Sequence, residues 1–108
     1  MGVEVKRFEV WIANLDLTIG AEIKKPRPVV IVSPDELNRQ LRTVVAVPLT
    51  TGRSYPFRIG TRVRGKAGVA AIDQIRTFDK SRLVNKIATI RPATATKILD
   101  ALVQMFEP

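Results

Sequence analysis

Short apolar runs separated by polar turns follow one another along most of the chain and predict a series of β-strands. The run PVVIVSP, 28–34, is continuously apolar, which is typical of a central strand covered on both faces. YPFRIG followed by TRVRG alternates apolar residues with arginines, as in a short hairpin with a cationic face. Further strands are predicted for FEVWIANL (8–15), RTVVAVPLTTG (42–52), GVAAIDQI (68–75) and VNKIATI (84–90).

Helical patterns occur in two places. PDELNRQL, 34–41, predicts a short helix with Ser33 as its cap and Glu36 three residues later. TATKILDALVQMF, 94–106, predicts one amphipathic helix packed on the sheet. Its apolar face consists of Ala95, Ile98, Leu99, Leu102 and Phe106. Together these elements indicate an α+β fold that is mainly β, a small curved antiparallel sheet or partial barrel with short helices, and residues 1–108 are expected to form a single domain.

The charge of the chain is concentrated in one segment. The net charge of the 108 residues is +8, and ten of the 18 lysines and arginines fall between residues 53 and 91 beside only two acids. This segment therefore carries the whole net charge, while the remainder is neutral. A concentrated basic segment predicts an anionic partner, most simply nucleic acid. An acidic protein partner or a merely solvated surface is equally compatible with the charge alone.

The residue types that are missing exclude several kinds of chemistry. The sequence has no histidine and no cysteine, so disulfides, thiolate zinc sites and Ser-His mechanisms are excluded. Neither a glycine-rich phosphate loop nor a carboxylate cluster for magnesium is present in the sequence, and we predict no metal and no cofactor. No apolar stretch approaches the roughly 20 residues that cross a bilayer, and we expect a cytoplasmic protein without membrane association. Arginine, lysine, carboxylates and threonine suit phosphoryl chemistry, in which positioning and charge stabilisation dominate.

The loop before the central strand carries the first candidate residue. Arg27 stands between Pro26 and Pro28, which restrict the backbone on both sides, so its guanidinium is held for a phosphate or its transition state. Spacing alone favours the alternative that Arg27 caps a strand end or pairs with an acid. Thr50 and Thr51 offer hydroxyl groups to the same anion if the two strand ends are neighbours.

Two further groups of residues are candidates. Glu22 lies five residues before Arg27 and is a candidate general base or orienting group, although Lys24 and Lys25 lower the pKa of a neighbouring carboxylate. In DQIRT, 73–77, an extended backbone places alternate side chains on opposite faces, so that the glutamine and the arginine can read base edges. A salt bridge at a strand end is an equally good interpretation of this stretch.

Five segments resemble one known family. KRFEVWIANL, GAEIKKPRPVVIVSP, VVAVPLTT, YPF and DQIRTFDKSRL occur in the order and approximate spacing of the MazF/PemK (Kid) type II toxins, over roughly residues 5–90. The resemblance implies a partial SH3-like barrel of the CcdB/PemK type that forms a homodimer. It also implies an endoribonuclease, or mRNA interferase, that cuts single-stranded RNA at short sequences without a metal and leaves 2′,3′-cyclic phosphate and 5′-hydroxyl ends. A cognate antitoxin protein is the implied partner.

The resemblance also assigns residues. It places Arg27, Thr50 and Glu22 in the catalytic site, where we expect Arg27 to stabilise charge, Thr50 to hold a non-bridging oxygen and Glu22 to activate the 2′-hydroxyl. The implied RNA-binding residues are Lys24, Lys25, Thr51, Arg53, Asp73, Gln74 and Arg76. The chain departs from the family where Gly-Asp is frequent, at Phe8-Glu9, and where glutamine is common, at Ile23. We expect both departures to lie near the site.

Two other functions fit the same fold. CcdB-like toxins share the architecture but bind DNA gyrase without catalysis, and a plain nucleic-acid-binding module would also be basic. Arg27, Thr50 and DQIRT together favour the ribonuclease over the gyrase-binding toxin. Six aromatic residues, several of which are needed in the core, argue mildly against a base-stacking module.

Overall fold

The computed structural model describes residues 4–15 and 26–108. Within these residues the chain forms an antiparallel sheet, two α-helices and two 3₁₀ turns. The strands are β1 (Glu9–Ala13), β2 (Arg27–Ile31), β3 (Thr43–Thr50), β4 (Arg58–Val63), β5 (Lys66–Ala71), β6 (Arg76–Asp79) and β7 (Leu83–Thr89). The helices are α1 (Asp35–Gln40) and α2 (Pro92–Phe106), and the 3₁₀ turns are Ile72–Gln74 and Lys80–Arg82.

Strand β3 is the point at which the sheet divides and curls. The strand order is β4-β5-β3-β2-β1-β7. Strand β6 is not part of this order and pairs with β3. The first half of β3 pairs with β6 from Thr43 to Ala46, while its last two residues pair with β5. Two antiparallel ladders thus follow one another along one edge of β3, while β2 pairs with its other edge. The prediction of a small curved antiparallel sheet with short helices and a C-terminal helix is confirmed.

Two apolar clusters lie on opposite faces of the central strands. Because side chains alternate along a strand, Val30 joins the cluster that packs on α2, whereas Val29 and Ile31 join the cluster around Trp11 and Phe78. Each of these three β2 side chains is fully buried. The sequence-based prediction of a strand covered on both faces is therefore correct.

Helix α2 packs on the sheet with a narrower face than its sequence predicts. Ala95, Ile98 and Ala101 are buried. Proline suits the first helical position because the backbone N–H that it lacks would have no partner within the helix there. Phe106 was predicted to belong to this face but is 71% exposed. Phe106 is the last residue of the helix and follows Ala101, the last of the buried positions. None of the helices in the described part of the chain is long and apolar enough to cross a membrane.

The predicted cap of α1 is absent. Pro34 occupies the cap position and makes no side-chain hydrogen bond there. The hydroxyl of Ser33 instead donates to Oδ1 of the buried Asn38 at 2.5 Å, and the Asn38 amide donates to the Ser33 carbonyl at 2.9 Å. Ser33 also accepts a hydrogen bond from the backbone N–H of Val45, so it ties the helix to β3.

The hairpin of β4 and β5 turns later in the sequence than the break between YPFRIG and TRVRG suggests. Both stretches contribute to one strand, β4, and the turn consists of Arg64 and Gly65 with φ of 51° and 79°. Positive φ at two successive residues is the geometry of a type I′ turn, which fits the twist of paired strands. The six residues of β4 and the six of β5 pair along their whole length.

Candidate active site

A pocket of about 270 Å³ opens where the start of β2, the end of β3 and the β4–β5 hairpin meet. Among the described residues, its charged lining residues are Arg27, Arg64 and Lys66, all of them cations. Its hydroxyl groups belong to Thr50, Thr51 and Thr61, and its apolar lining includes Pro28, Leu49, Val63 and Ile87. Cations and hydroxyl donors around an apolar floor suit an anion attached to a less polar group.

Arg27 is the first residue of β2 and pairs with Ala13 of β1. Its side chain is half-buried, and its Nε is fully buried without a hydrogen-bond partner among the described residues. An unpaired buried donor is unfavourable by about 1–3 kcal/mol, so this position favours a ligand that accepts a hydrogen bond. Neither a strand-end cap nor an ion pair of Arg27 is found in the part of the chain that the structure describes.

Thr50 lies beside Arg27 because of the register of their strands. β2 and β3 pair Val29 with Pro48 and Val30 with Val47, and the same register places Arg27 opposite Thr50. The condition that the two strand ends be neighbours is thus met, and Arg27, Thr50 and Thr51 all line one pocket.

The position of Thr50 depends on a glycine in the neighbouring strand. Thr50 pairs with Val69 of β5. A Cβ atom placed on the preceding residue, Gly68, would lie 2.8 Å from the Thr50 carbonyl oxygen. Side chains do not approach backbone oxygens so closely, and Gly68 is therefore required for the close approach of β5 to this end of β3.

The DQIRT stretch is not extended throughout. Its first two residues belong to the 3₁₀ turn, and only from Arg76 onward is the chain a strand. Asp73 forms a bidentate ion pair with Arg58, with distances of 2.7 and 2.9 Å. This pair is the structural alternative that the sequence left open. The hydrogen bonds from Arg58 hold the pKa of Asp73 below its ordinary value, in spite of some burial.

The remaining predicted RNA-binding residues of the described segments lie outside the pocket lining. The Arg76 guanidinium lies 4.8 Å from the centre of the Phe78 ring, and Arg53 is exposed in the connection between β3 and β4. The pocket lining includes neither of these arginines and neither Asp73 nor Gln74. Their contact with RNA stays a prediction. The predicted residues Glu22, Lys24 and Lys25, and the departure at Ile23, lie outside the described residues.

Neither residue of the departure at Phe8-Glu9 belongs to the pocket lining. These residues stand at the start of β1, whereas Arg27 pairs with the residue at its other end. Phe8 has a φ of 71°, a conformation that favours glycine, and its ring packs against the core cluster on the α2 side. The departure therefore concerns the packing of the fold.

Glu9 is a buried carboxylate with a full set of partners. It accepts hydrogen bonds from the Lys6 backbone N–H at 2.9 Å and from the Trp11 indole N–H at 3.0 Å. Its second oxygen lies 3.1 Å from the Lys86 ammonium. Burial raises the pKa of Glu9, but these donors together outweigh burial and hold the pKa below its ordinary value.

The lining residues that sequence reasoning missed include Thr61, Arg64, Lys66 and Gly68. The signal in TRVRGKAG was the alternation of cations along a predicted hairpin, which indicated an exposed basic face but not a pocket. No group of three or more His, Cys, Asp or Glu side chains able to hold a metal occurs among the described residues.

Comparison with known proteins gives one consistent class. Residues 6–106 match the model of the family described as PemK-like, MazF-like toxin of type II toxin-antitoxin system. Endoribonuclease PemK of Escherichia coli is 33% identical over 106 residues, which cover 92% of this chain and 80% of that protein. The curled sheet and the pocket thus occur in a chain related to toxins along nearly its whole length.

Solved structures agree on the fold. MazF from Deinococcus radiodurans superposes with a TM-score of 0.84 at 23% identity, covering 95% of this chain and 96% of that one. A mycobacterial endoribonuclease, solved in complex with its cognate antitoxin, has a TM-score of 0.78 at 30% identity and coverages of 93% and 92%. The chain belongs to the PemK-like, MazF-like family of type II toxin-antitoxin toxins. The family resemblance in the sequence motifs is confirmed.

Proposed function

We propose that the chain is a toxin that cuts single-stranded RNA internally, with the scissile phosphate bound between Arg27 and Thr50. The observation that carries the proposal is the buried Nε of Arg27, which has no hydrogen-bond partner in the described part of the chain and lies opposite Thr50 in a pocket whose described charged lining residues are all cations. The relative from Escherichia coli is named an endoribonuclease, and this name supports the same substrate class.

The proposed reaction is attack by the neighbouring 2′-hydroxyl. The 2′-oxygen forms a bond to phosphorus and loses its proton, the bond from phosphorus to the 5′-oxygen breaks, and the leaving oxygen takes up a proton. The products are a 2′,3′-cyclic phosphate and a 5′-hydroxyl. DNA lacks the 2′-hydroxyl and is therefore not cut.

Each pocket residue has a role in this reaction. The guanidinium of Arg27 stabilises the negative charge that grows on the phosphorane, and the hydroxyl of Thr50 donates to a non-bridging oxygen. A guanidinium stays protonated in proteins, so Arg27 is not the general base. Glu22 is proposed to accept the 2′-hydroxyl proton. Because fixed cations supply the charge stabilisation, the reaction is proposed to proceed without a metal.

The proposal includes two protein partners. A mycobacterial endoribonuclease related to this chain was solved with its cognate antitoxin, and we expect an antitoxin to cover the basic surface here as well. An acidic segment would complement the net charge of +8. The homodimer that the family resemblance implies is also proposed, as is action in the cytoplasm, where messenger RNA is translated.

The test is a cleavage assay on a long single-stranded RNA in EDTA, with a DNA of the same sequence beside it. The wild-type protein is expected to give discrete cuts with 5′-hydroxyl ends on the RNA alone. Arg27→Ala is expected to abolish cutting while retaining most RNA binding. Arg62→Ala is the matched control, because it removes the same charge from an exposed side chain outside the pocket lining.

Three outcomes would contradict the proposal. Full activity of Arg27→Ala would show that this pocket is not where RNA is cut. Activity that EDTA abolishes would overturn the metal-free mechanism. An RNA left intact by the wild-type protein, together with inhibition of DNA supercoiling by gyrase, would favour the CcdB-like function instead.

A further inference from the structure

The turn of the β4–β5 hairpin contains a residue that its conformation disfavours. Arg64 has a φ of 51° and is followed by Gly65 with a φ of 79°. A two-residue turn of this kind is usually Asn-Gly, because asparagine and glycine tolerate positive φ far better than long side chains do. Residues in disfavoured conformations cluster at functional sites. The turn is therefore less stable with arginine than it would be with asparagine.

The side chain of Arg64 lies at the pocket and forms no hydrogen bond to the turn within the described residues. Arg64 and Lys66 both line the pocket that contains Arg27, and neither side chain has a hydrogen bond or an ion pair within the described residues. The neighbouring Arg62 differs on both counts. Its Nη1 donates to the Gly65 carbonyl at 2.9 Å, and it is not part of the pocket lining.

The two sets of cations stand on different elements around one apolar floor. Arg27 begins β2, whereas Arg64 lies in the hairpin turn and Lys66 begins β5. Val63 and Ile87 lie in the lining as well. An apolar floor cannot solvate a phosphate, but it can contact a nucleoside. A chain of nucleotides can then have one phosphate at each set of cations, with the nucleoside between them over the floor.

We propose that Arg64 and Lys66 bind a second phosphate of the RNA, next to the phosphate at Arg27. The inference rests on the proposed function and adds a subsite to it. RNA would cross the pocket from β2 to the hairpin, and a substrate with a single phosphate would be cut poorly. Arg64 is a binding residue in this arrangement, and it contributes to substrate affinity without taking part in bond breaking.

Arg64→Asn tests the subsite because function and stability should change in opposite directions. The probe is an RNA oligonucleotide spanning a mapped cut, with deoxyribose at the cut position so that it binds without reacting. We expect the variant to bind about tenfold more weakly, as for the loss of one charge-assisted contact. Its slope of log K against log salt concentration should fall by about 0.7, the value for one phosphate contact in a single strand. The melting temperature should rise, since Asn-Gly suits the turn.

Two further variants complete the design. Lys66→Gln lies outside the turn and should lower the affinity and the salt slope in the same way with an unchanged melting temperature. Arg62→Ala removes an equal charge from the same hairpin and should leave the salt slope close to that of the wild type. In turnover experiments Arg64→Asn should raise KM and leave kcat within a fewfold of the wild-type value.

The results separate this inference from the proposed function. If Arg64→Asn and Arg62→Ala have the same affinity and salt slope while the wild-type protein cuts RNA, the second phosphate site is wrong and the ribonuclease stands. Weaker binding accompanied by a lower melting temperature in Arg64→Asn would show that the arginine acts through the fold, which also overturns the inference. A wild-type protein that neither binds nor cuts RNA overturns both.

Discussion

Replacing Gly68 by alanine should damage the pocket through the backbone of Thr50. The added Cβ would lie 2.8 Å from the Thr50 carbonyl oxygen, whereas ordinary contacts begin at 3.4 Å. The two strands must therefore separate by several tenths of an ångström at the position where Thr50 faces Arg27. Strain of this kind in a packed region costs about 1–3 kcal/mol, which corresponds to a fall in melting temperature of about 4–12 °C for a domain of this size.

The effect on activity should be larger than the effect on stability alone explains. A displacement of about 1 Å at a catalytic group can lower a rate about a hundredfold, so we expect roughly a tenfold loss of RNA cleavage at a temperature at which the variant is fully folded. Thermal unfolding followed by circular dichroism and single-turnover cleavage of a labelled RNA measure the two effects.

Gly60→Ala provides the control for this prediction. Gly60 lies in the adjoining strand β4, and its added Cβ would meet the Ser54 Cβ at 3.8 Å, an ordinary contact. The variant should be as stable as the wild type or slightly more stable, because alanine restricts the unfolded chain. Equal melting temperatures and equal cleavage rates for Gly60→Ala and Gly68→Ala would refute the reasoning.

Three further predictions concern single side chains. Thr50→Val preserves the shape of the strand but removes the hydroxyl donor, so cleavage should fall about a hundredfold in single-turnover assays while the melting temperature is unchanged; a full rate would exclude the hydroxyl from catalysis. The lowered pKa of Glu9 means that its stabilising effect is complete above its ordinary pKa of 4.5 and is lost as the pH falls through the lower value of the folded state. Glu9→Gln should therefore be less stable at pH 7 by about 2 kcal/mol, and the difference should shrink in urea unfolding experiments below pH 4; a constant difference would contradict it. Asp73→Asn should release Arg58 and raise RNA affinity a fewfold at low salt with a stability change below about 1 kcal/mol, whereas an affinity loss confined to the preferred RNA sequence would mean that Asp73 reads a base.

The strands of the fold could be predicted because their sequences are strongly apolar. Val29, Val30 and Ile31 form a short apolar run that suits a central strand, and both faces of this strand are covered. The prediction that Thr50 lies beside Arg27 was conditional, since the register of two strands depends on pairing that neither strand specifies alone. The pairing of Val29 with Pro48 supplied the missing condition.

The stretch around Asp73 could not be predicted from its own residues. Its alternation is compatible with a strand, but the backbone N–H of Ile72 donates to the carbonyl of Phe57 at 3.0 Å, and that of Ile75 donates to Ile72 at 3.2 Å. The first of these bonds is a contact between segments distant in sequence, and it holds the chain where the 3₁₀ turn begins. Local propensity was overridden by tertiary contacts, as often happens in strands.

The hairpin part of the pocket was missed for a related reason. TRVRGKAG shows where cations alternate, but the concavity that Arg64 and Lys66 line is formed by residues from other strands, among them Pro28 and Ile87. The requirement for Gly68 arises from a backbone atom of β3 and has no signature in the sequence around it.

The pocket draws its lining from strands that are synthesised at very different times. Arg27 and Thr50 are made early, but Ile87 belongs to β7, which must first return to pair with β1 at the opposite end of the sequence. Contacts so distant along the chain form only after the intervening residues have left the ribosome. A growing chain therefore carries Arg27, the proposed catalytic arginine, before the pocket around it is complete. We expect the nascent toxin to spare the message from which it is being translated, with cleavage beginning only after synthesis has passed β7.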